Sequence, residues 1–230
     1  DPLENEDSIK LNWINHSQNL DKFDLIILPG TKQTIKDLLF LYESGLLKDI
    51  QEYSKMDGNI FGICGGLQML GEYLEDPYSK EGLNSSNKKS IKGIGLLPLT
   101  TTFLRDKITK RITCHSNWPC TEKIDGFEIH NGITKIIKND NNYNVCDIFK
   151  ENSLGWYKKC NERGIIAGTY IHGIFENDKW TINLLNLIKE KKGIPILDKK
   201  NKSYKIKREE TIDNLAKQFT KHINISVLLN

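Results

Sequence analysis

The chain has 230 residues, of which 38% are hydrophobic and 27% charged. This composition suits one sizeable folded domain and excludes wholesale disorder. The net charge of +3 is too small and too evenly spread to indicate a nucleic-acid partner. No stretch approaches the roughly 18 consecutive apolar residues of a membrane span. An odd number of cysteines (five) and a polar N-terminus favour reduced thiols in the cytoplasm.

The first part of the chain alternates short apolar runs with helical patterns. Strands are predicted at 24–28 and 59–63, and helices at 34–42, 46–53 and 67–74. The first strand ends at Pro29-Gly30, as a buried parallel strand does at a turn. Strand, helix, strand and helix in this order, with short links, predict a parallel sheet with crossover helices.

From Gly93 onwards the pattern changes to short strands joined by turns. Strands are predicted at 94–97, 100–103, 107–113, 127–130, 134–137 and 165–171, and helices at 180–192 and 209–222. The predicted fold class is therefore α/β, with an open, mostly parallel sheet, flanking helices and additional antiparallel strands in the second half. We expect one domain over 1–195. A basic link and a C-terminal helix, 196–230, are expected to pack on that domain or trail from it.

Cys64 is the first candidate functional residue. It stands between small residues, directly after a predicted strand and before a predicted helix, which is the arrangement of a nucleophile elbow. Gly62 and Gly66 leave room for the tight turn. The helix N-terminus is expected to lower the pKa of the thiol, and the Gly65 N–H can point at an oxyanion. A buried, inert cysteine is the alternative that this pattern leaves open.

A thiol nucleophile needs a base, and two histidines occupy suitable places. His172 ends the predicted strand 165–171 and opens a glycine turn, where functional groups collect in open α/β sheets. His130 lies in a similar position and is its rival. A purely structural histidine remains the alternative for both. The spacing of the cysteines and histidines matches no regular zinc-ligand pair, so no metal site is expected.

Four segments of the chain form a recognisable series. They are Leu28-Pro-Gly-Thr-Lys-Gln-Thr-Ile35, Gly62-Ile-Cys-Gly-Gly-Leu-Gln-Met-Leu-Gly71, Gly126-Phe-Glu-Ile-His-Asn-Gly132 and Gly168-Thr-Tyr-Ile-His-Gly-Ile-Phe-Glu-Asn177. In this order and at these separations, they resemble the glutamine amidotransferase domains of the cobyric acid synthase family, which acts in cobalamin biosynthesis. The resemblance covers nearly the whole chain. It also implies that the chain begins after the first strand of such domains.

The resemblance implies a catalytic pair. Cys64 would attack the side-chain amide of glutamine to form a glutamyl thioester, and His172 would take the thiol proton and pass it to the departing ammonia. Two oxyanion donors and two glutamine-binding residues are implied as well: Gly30, Gly65, Gln68 and His130.

The third member of the site is less defined by the resemblance. Related amidotransferases place a glutamate two residues after the histidine, where this chain has Ile174. Glu176, four residues after His172, is the candidate third member. We expect Glu176 to cap the following helix, and the site to consist of Cys64 and His172 alone.

The resemblance also implies a partner. Enzymes of this family carry an N-terminal synthetase domain that uses ATP and Mg²⁺ to activate carboxylates of the corrinoid adenosylcobyrinic acid a,c-diamide, and that receives the ammonia. This chain contains no P-loop, so we expect no cofactor of its own. Two alternatives remain: the amidotransferase subunit that acts on lipid II with a Mur-ligase-like partner, and a non-catalytic interaction domain of the same fold.

Overall fold

The computed structural model describes residues 2–6, 8–82, 89–137, 145–151, 153–158, 164–197 and 204–222. Its strands are β1 (Ile26–Leu28), β2 (Ile60–Ile63), β3 (Tyr73–Glu75), β4 (Ser90–Lys92), β5 (Leu99–His115), β6 (Lys123–Ile136), β7 (Val145–Asp147), β8 (Gly155–Lys158), β9 (Ile166–Thr169) and β10 (Ile171–His172). Its helices are α1 (Thr34–Glu43), α2 (Leu46–Lys55), α3 (Gly65–Leu70), α4 (Asp178–Lys191) and α5 (Tyr204–His222), with a 3-10 turn at Ile174–Glu176. None of these helices is long and apolar enough to cross a membrane.

The first sheet contains the predicted parallel strands. Its order is β1-β2-β9-β8-β7, in which β1, β2 and β9 run parallel and β8 and β7 are antiparallel additions. The central strands are fully buried, as Ile60, Phe61 and Ala167 show. Such apolar runs form buried strands because helices cover the faces of a parallel sheet. The predicted α/β class is therefore confirmed.

The antiparallel strands of the second half form a separate sheet, in the order β10-β6-β5-β3-β4. A long hairpin of β5 and β6 dominates it, so the short strands predicted at 100–113 and 127–137 are parts of two continuous strands. The register shifts between Thr102 and Lys107, opposite Gly132. Gly132 has a φ of 92°, and a β-carbon there would lie 2.7 Å from the Thr102 oxygen. Glycine is therefore required at position 132, opposite the bulge, because a side chain would fit neither the positive φ nor the close approach of Thr102.

The two sheets are joined by one continuous segment. The single strand predicted at 165–171 is divided at Tyr170 into β9, which pairs with β2, and β10, which pairs with β6. The β10–β6 ladder has only two pairs, Ile171 with Glu128 and His172 with Phe127. The chain thus passes from one sheet to the other immediately before His172.

Two predicted elements are wrong in detail. The helix predicted to reach residue 74 ends at Leu70, because Gly71 is extended, with a ψ of 172°, and the chain turns there into β3. The strand predicted at 94–97 does not form. Instead, the N–H groups of Ile94, Leu96 and Leu97 donate to Met69 and Leu70 carbonyls, which satisfies the end of α3.

The C-terminal helix α5 meets the rest of the chain near its first turn. The Tyr204 N–H donates to Asp178 Oδ1 at 3.2 Å, and Arg208 lies 3.7 Å from Glu176 Oε2. No residue of α5 is buried. Much of the predicted basic link, 198–203, lies outside the described residues, so the boundary near residue 195 stays a prediction.

Candidate active site

Cys64 occupies a strained turn between β2 and α3. Its φ of 51° and ψ of −108° lie in a region that side-chain-bearing residues rarely adopt. The turn is close-packed: a β-carbon on Gly66 would lie 2.0 Å from the Leu28 oxygen, and one on Gly62 would lie 2.6 Å from the Gly66 carbonyl carbon. The predicted elbow is present, and the two glycines are required because backbone approaches backbone.

His172 and Cys64 come together at one main-chain oxygen. The Cys64 sulfur donates to the carbonyl of Ile129 at 3.2 Å, and Nε2 of His172 lies 3.2 Å from the same oxygen. Gly30 closes the other side, since a β-carbon there would lie 3.2 Å from His172 Cε1 and 3.6 Å from Cys64 Cβ. The residues predicted as nucleophile, base and oxyanion donor therefore share one site.

Burial raises the pKa of the Cys64 thiol to about 11, while the hydrogen bond from the Gly65 N–H acts in the opposite direction. The expectation of a lowered pKa is therefore wrong. Helix α3 has only six residues, and its N-terminal N–H groups do not offset the loss of water around the sulfur. The resting nucleophile is a neutral thiol, and proton removal has to accompany its attack.

The pKa of His172 is lowered, chiefly because the ring is half-buried. The hydrogen bond with the Ile129 carbonyl raises this pKa, and the nearby charges of His130 and Lys107 lower it. A neutral imidazole is therefore available at neutral pH as a base for the thiol.

The Gln68 side chain makes hydrogen bonds that connect three elements around the site. Its Oε1 accepts a hydrogen bond from the Thr34 hydroxyl at 3.0 Å, and its Nε2 donates to the Asn131 carbonyl at 2.9 Å. The side chain is 3% exposed. Gln68 thus connects α1, α3 and β6, and a contact with glutamine would add to these bonds or replace one of them.

His130, the rival base, is buried against Glu128 and Tyr170, and it makes no described hydrogen bond with Cys64. Its Nε2 is 2.9 Å from Glu128 Oε1, and its ring stacks on Tyr170 with centroids 3.8 Å apart. The ring is 7% exposed, and its Nδ1 is buried without a hydrogen-bond partner among the described residues. The structure places His172, and not His130, at the carbonyl shared with Cys64.

Glu176 does not cap α4. The N-cap position belongs to Asn177, whose Nδ2 donates to the carbonyls of Asp125, Gly173 and Ile174. The earlier cap interpretation is wrong because Glu176 ends the 3-10 turn one residue before the helix, where its carboxylate faces Arg208. Its role as a third site member stays a prediction.

Sequence reasoning did not identify the acceptor at the centre of the site. The Ile129 carbonyl is a main-chain group, which carries no signal in the sequence. Glu128 and Tyr170 lie in the recognised segments, but their contacts with His130 depend on the way in which the two sheets meet. Among the described residues, no cluster of His, Cys, Asp and Glu could hold a metal ion.

A strained cysteine after a parallel strand, with a histidine at the end of a neighbouring strand, is the arrangement that the resemblance to glutamine amidotransferases predicts. The chain is similar to a solved structure described as a glutamine amidotransferase, with a TM-score of 0.54 and 12% identity over 81% of this chain and 88% of that one. It is also similar to PurLQS from Thermotoga maritima, with a TM-score of 0.50 and 19% identity over 77% and 86%. Within this class, the chain belongs to the family of CobB/CobQ-like glutamine amidotransferase domains, whose family model matches residues 1–180.

The sequence relatives agree with the resemblance inferred from the four segments. The chain is 60% identical over 230 residues to the cobyric acid synthase of Prochlorococcus marinus strain AS9601, and 61% identical over 231 residues to that of strain MIT 9515. Each match takes in 100% of this chain and 45% of the relative. The chain thus spans less than half the length of the curated relatives it matches.

Proposed function

We propose that this chain hydrolyses glutamine and supplies the ammonia to a synthetase within a longer polypeptide. The observation that carries the proposal is the contact of both Cys64 and His172 with the Ile129 carbonyl, at a strained elbow in an amidotransferase fold. A buried structural cysteine would not require a positive φ, and backbone strain of this kind collects at functional sites.

The first half of the reaction forms a thioester. His172 takes the proton of the Cys64 thiol as the sulfur attacks the side-chain carbonyl carbon of glutamine, which places a negative charge on the carbonyl oxygen. When this tetrahedral intermediate collapses, His172 gives the proton to the leaving nitrogen, the C–N bond breaks and ammonia departs. Because the thiol pKa is about 11, the proton transfer to His172 is part of the attack.

The second half restores the enzyme. Water attacks the glutamyl thioester, and His172 takes a proton from it. The C–S bond then breaks, His172 returns the proton to the leaving sulfur, and glutamate and the Cys64 thiol are released. The net reaction converts glutamine and water into glutamate and ammonia. A half-buried histidine of lowered pKa is neutral when it has to accept a proton, first from the thiol and then from water.

The remaining site residues hold the substrate and its charge. The N–H groups of Gly30 and Gly65 stabilise the oxyanion, a role supported by the nearness of Gly30 to both catalytic side chains. Gln68 and His130 shape the wall of the glutamine pocket. Among the described residues, His130 Nδ1 and Asn131 Oδ1 are buried without a hydrogen-bond partner, so both have bonding capacity to spare.

The ammonia is consumed outside this chain. In the proposed whole protein, a synthetase part uses ATP and Mg²⁺ to activate the carboxylates of adenosylcobyrinic acid a,c-diamide, in the cytoplasm. The support comes from the relatives named cobyric acid synthase, of which the chain covers 45%.

Labelling with 6-diazo-5-oxo-norleucine, a glutamine analogue that alkylates amidotransferase nucleophiles, tests the proposal. We expect one adduct on Cys64 in the native chain and none in Cys64→Ala. Cys114→Ala is the matched control, because Cys114 is also buried and its pKa is also raised to about 11. That variant should label normally.

Two results would count against the proposal. Labelling of Cys114 as fast as Cys64 would mean that the reagent reports only on thiol exposure. A folded native protein that neither labels nor releases glutamate from glutamine would remove the catalytic assignment and leave an interaction domain of the same fold.

A further inference from the structure

His172 has a backbone acceptor for its ring: Nε2 lies 3.2 Å from the Ile129 oxygen. The charged groups that act on the pKa of His172 are His130 and Lys107. Cys64 lies at the shared carbonyl, and the Glu128 carboxylate contacts His130 and Lys110. None of the described hydrogen bonds or ion pairs joins the His172 ring to Glu176, whose carboxylate lies 3.7 Å from Arg208.

The Ile129 carbonyl can accept hydrogen bonds from side chains because the β10–β6 ladder is short. The β10–β6 ladder pairs His172 with Phe127 and Ile171 with Glu128, and it stops there. Ile129 is the next residue of β6; it pairs with Thr109 of β5, and on the β10 side it lies beyond the end of the ladder. A strand group beyond the end of a ladder has to find another partner, and here the partners are the Cys64 thiol and the His172 ring.

The residues on both sides of Ile129, Glu128 and His130, are held by buried side-chain contacts. Glu128 Oε1 and His130 Nε2 are hydrogen-bonded at 2.9 Å, and their side chains are 5% and 6% exposed. The His130 ring stacks on Tyr170, which precedes His172 by two residues. Tyr170 is 2% exposed and its hydroxyl bonds with Thr134 of β6. The same contacts therefore hold the carbonyl and the segment that carries the base.

We infer that the main-chain carbonyl of Ile129 replaces the third, acidic member of the site, by accepting Nε2–H from protonated His172, and that Glu128 and His130 are positioning residues for this carbonyl. The inference rests on the proposed function. Once the ring has taken the thiol proton, both of its nitrogens carry hydrogen, so Nε2–H donates to Ile129 whichever nitrogen was protonated before. A hydrogen bond from a charged donor is roughly twice as strong as a neutral one.

The shared acceptor also suits the order of the steps. In the resting site, the thiol donates to the Ile129 oxygen. When the proton passes to His172, the sulfur has no hydrogen left to donate, and the carbonyl serves the imidazolium alone. The thiolate is then free to turn towards the substrate carbon. A carbonyl dipole stabilises the imidazolium less than a full carboxylate charge would.

The test compares Glu128→Gln with Ile124→Val in the full-length polypeptide. Ile124 is a fully buried residue of the same strand, so its variant controls for lost stability. For Glu128→Gln we expect kcat for glutamine hydrolysis to fall about tenfold with little change in KM, and the NMR-measured pKa of His172 to decrease. Tyr170→Leu, which removes the ring beneath His130, is a second variant with the same expected direction.

The inference is overturned if Glu128→Gln and Tyr170→Leu keep the native kcat and His172 pKa, as Ile124→Val should. It is also overturned if Glu176→Gln lowers kcat tenfold, since the carboxylate would then be the third member. A native protein that does not hydrolyse glutamine at all would instead contradict the proposed function, so the two failures are distinguishable.

Discussion

Gly66 lies so close to Leu28 that a β-carbon on the glycine would sit 2.0 Å from the Leu28 carbonyl oxygen. The contact involves backbone on both sides, so no side chain can move to relieve it. Through this contact the first turn of α3 packs against the end of β1, and the adjacent Cys64 is held in its positive-φ conformation. The elbow therefore depends on the absence of one methyl group.

Gly66→Ala should destabilise the protein by about 3 kcal/mol or more, because the two backbones would have to separate. Gly82→Ala is the control, since nothing lies within 4 Å of a β-carbon there. It should cost only about 1 kcal/mol for its positive φ. Urea denaturation of the two variants measures both values, and equal losses would contradict the close-packed elbow.

The free thiol of Cys64 should react slowly at neutral pH. Because burial raises its pKa to about 11, the thiolate fraction increases only as the pH approaches that value. Iodoacetamide labelling followed by peptide mass spectrometry should therefore give a rate at Cys64 that is still rising at pH 10. A rate that levels off near pH 7 would show a preformed thiolate instead.

Glutamine hydrolysis should lose activity on the acid side only well below neutral pH. Burial lowers the pKa of His172 from its ordinary value of 6.5, so the ring stays neutral and able to accept a proton until the pH falls below that value. The acid limb of the profile of kcat/KM against pH, which reports on the free protein, should have its midpoint below 6.5. A midpoint above 7 would mean that a carboxylate stabilises the imidazolium.

Gly30→Ala should lower activity more than stability. The new methyl group would lie 3.2 Å from His172 Cε1, a tight contact that turns the ring away from its acceptor. We expect kcat to fall about a hundredfold, since small displacements of catalytic groups are costly. Gly95→Ala, where nothing lies within 4 Å, should keep native kinetics, and a similar loss there would rule out the local explanation.

Gln68→Met should destabilise the fold as well as the pocket. The substitution keeps the volume but leaves the Thr34 hydroxyl and the Asn131 carbonyl without their partner. Buried polar groups that lose a hydrogen bond cost about 1–3 kcal/mol each. Thermal unfolding should show the loss, and Gln51→Met, which loses one bond to the Ile94 carbonyl, is a milder control.

The sequence predicted the parallel half of the fold well and the antiparallel half poorly. Strands β1 and β2 are apolar runs bounded by turn residues, and local pattern is sufficient for such elements. The long β5 alternates over only part of its length and is interrupted by a bulge, so it resembled two short strands. Strands β7 and β8 have only three and four residues and pair with strands close to them in the chain, so they carry too short a pattern to be recognised.

The two side chains of the proposed catalytic pair were predictable because they lie where the chain direction changes sharply. Cys64 follows β2, His172 ends β10, and each adjoins a glycine. The direction of the Cys64 pKa shift was not predictable, since it depends on burial by β6 and not on the helix that follows the cysteine. The Ile129 carbonyl could not be predicted at all, because every residue has the same main-chain oxygen.

The passage of the chain from β9 to β10 has a consequence for control. Cys64 is carried by the first sheet, whereas His172 is carried by the second, and only Tyr170 separates β9 from β10. The rate of glutamine hydrolysis should therefore depend on how the two sheets are aligned. A displacement of about 1 Å between them can lower this rate about a hundredfold. A partner domain that tilts the β5–β6 hairpin would lower or raise the rate of ammonia release without contacting Cys64 or His172.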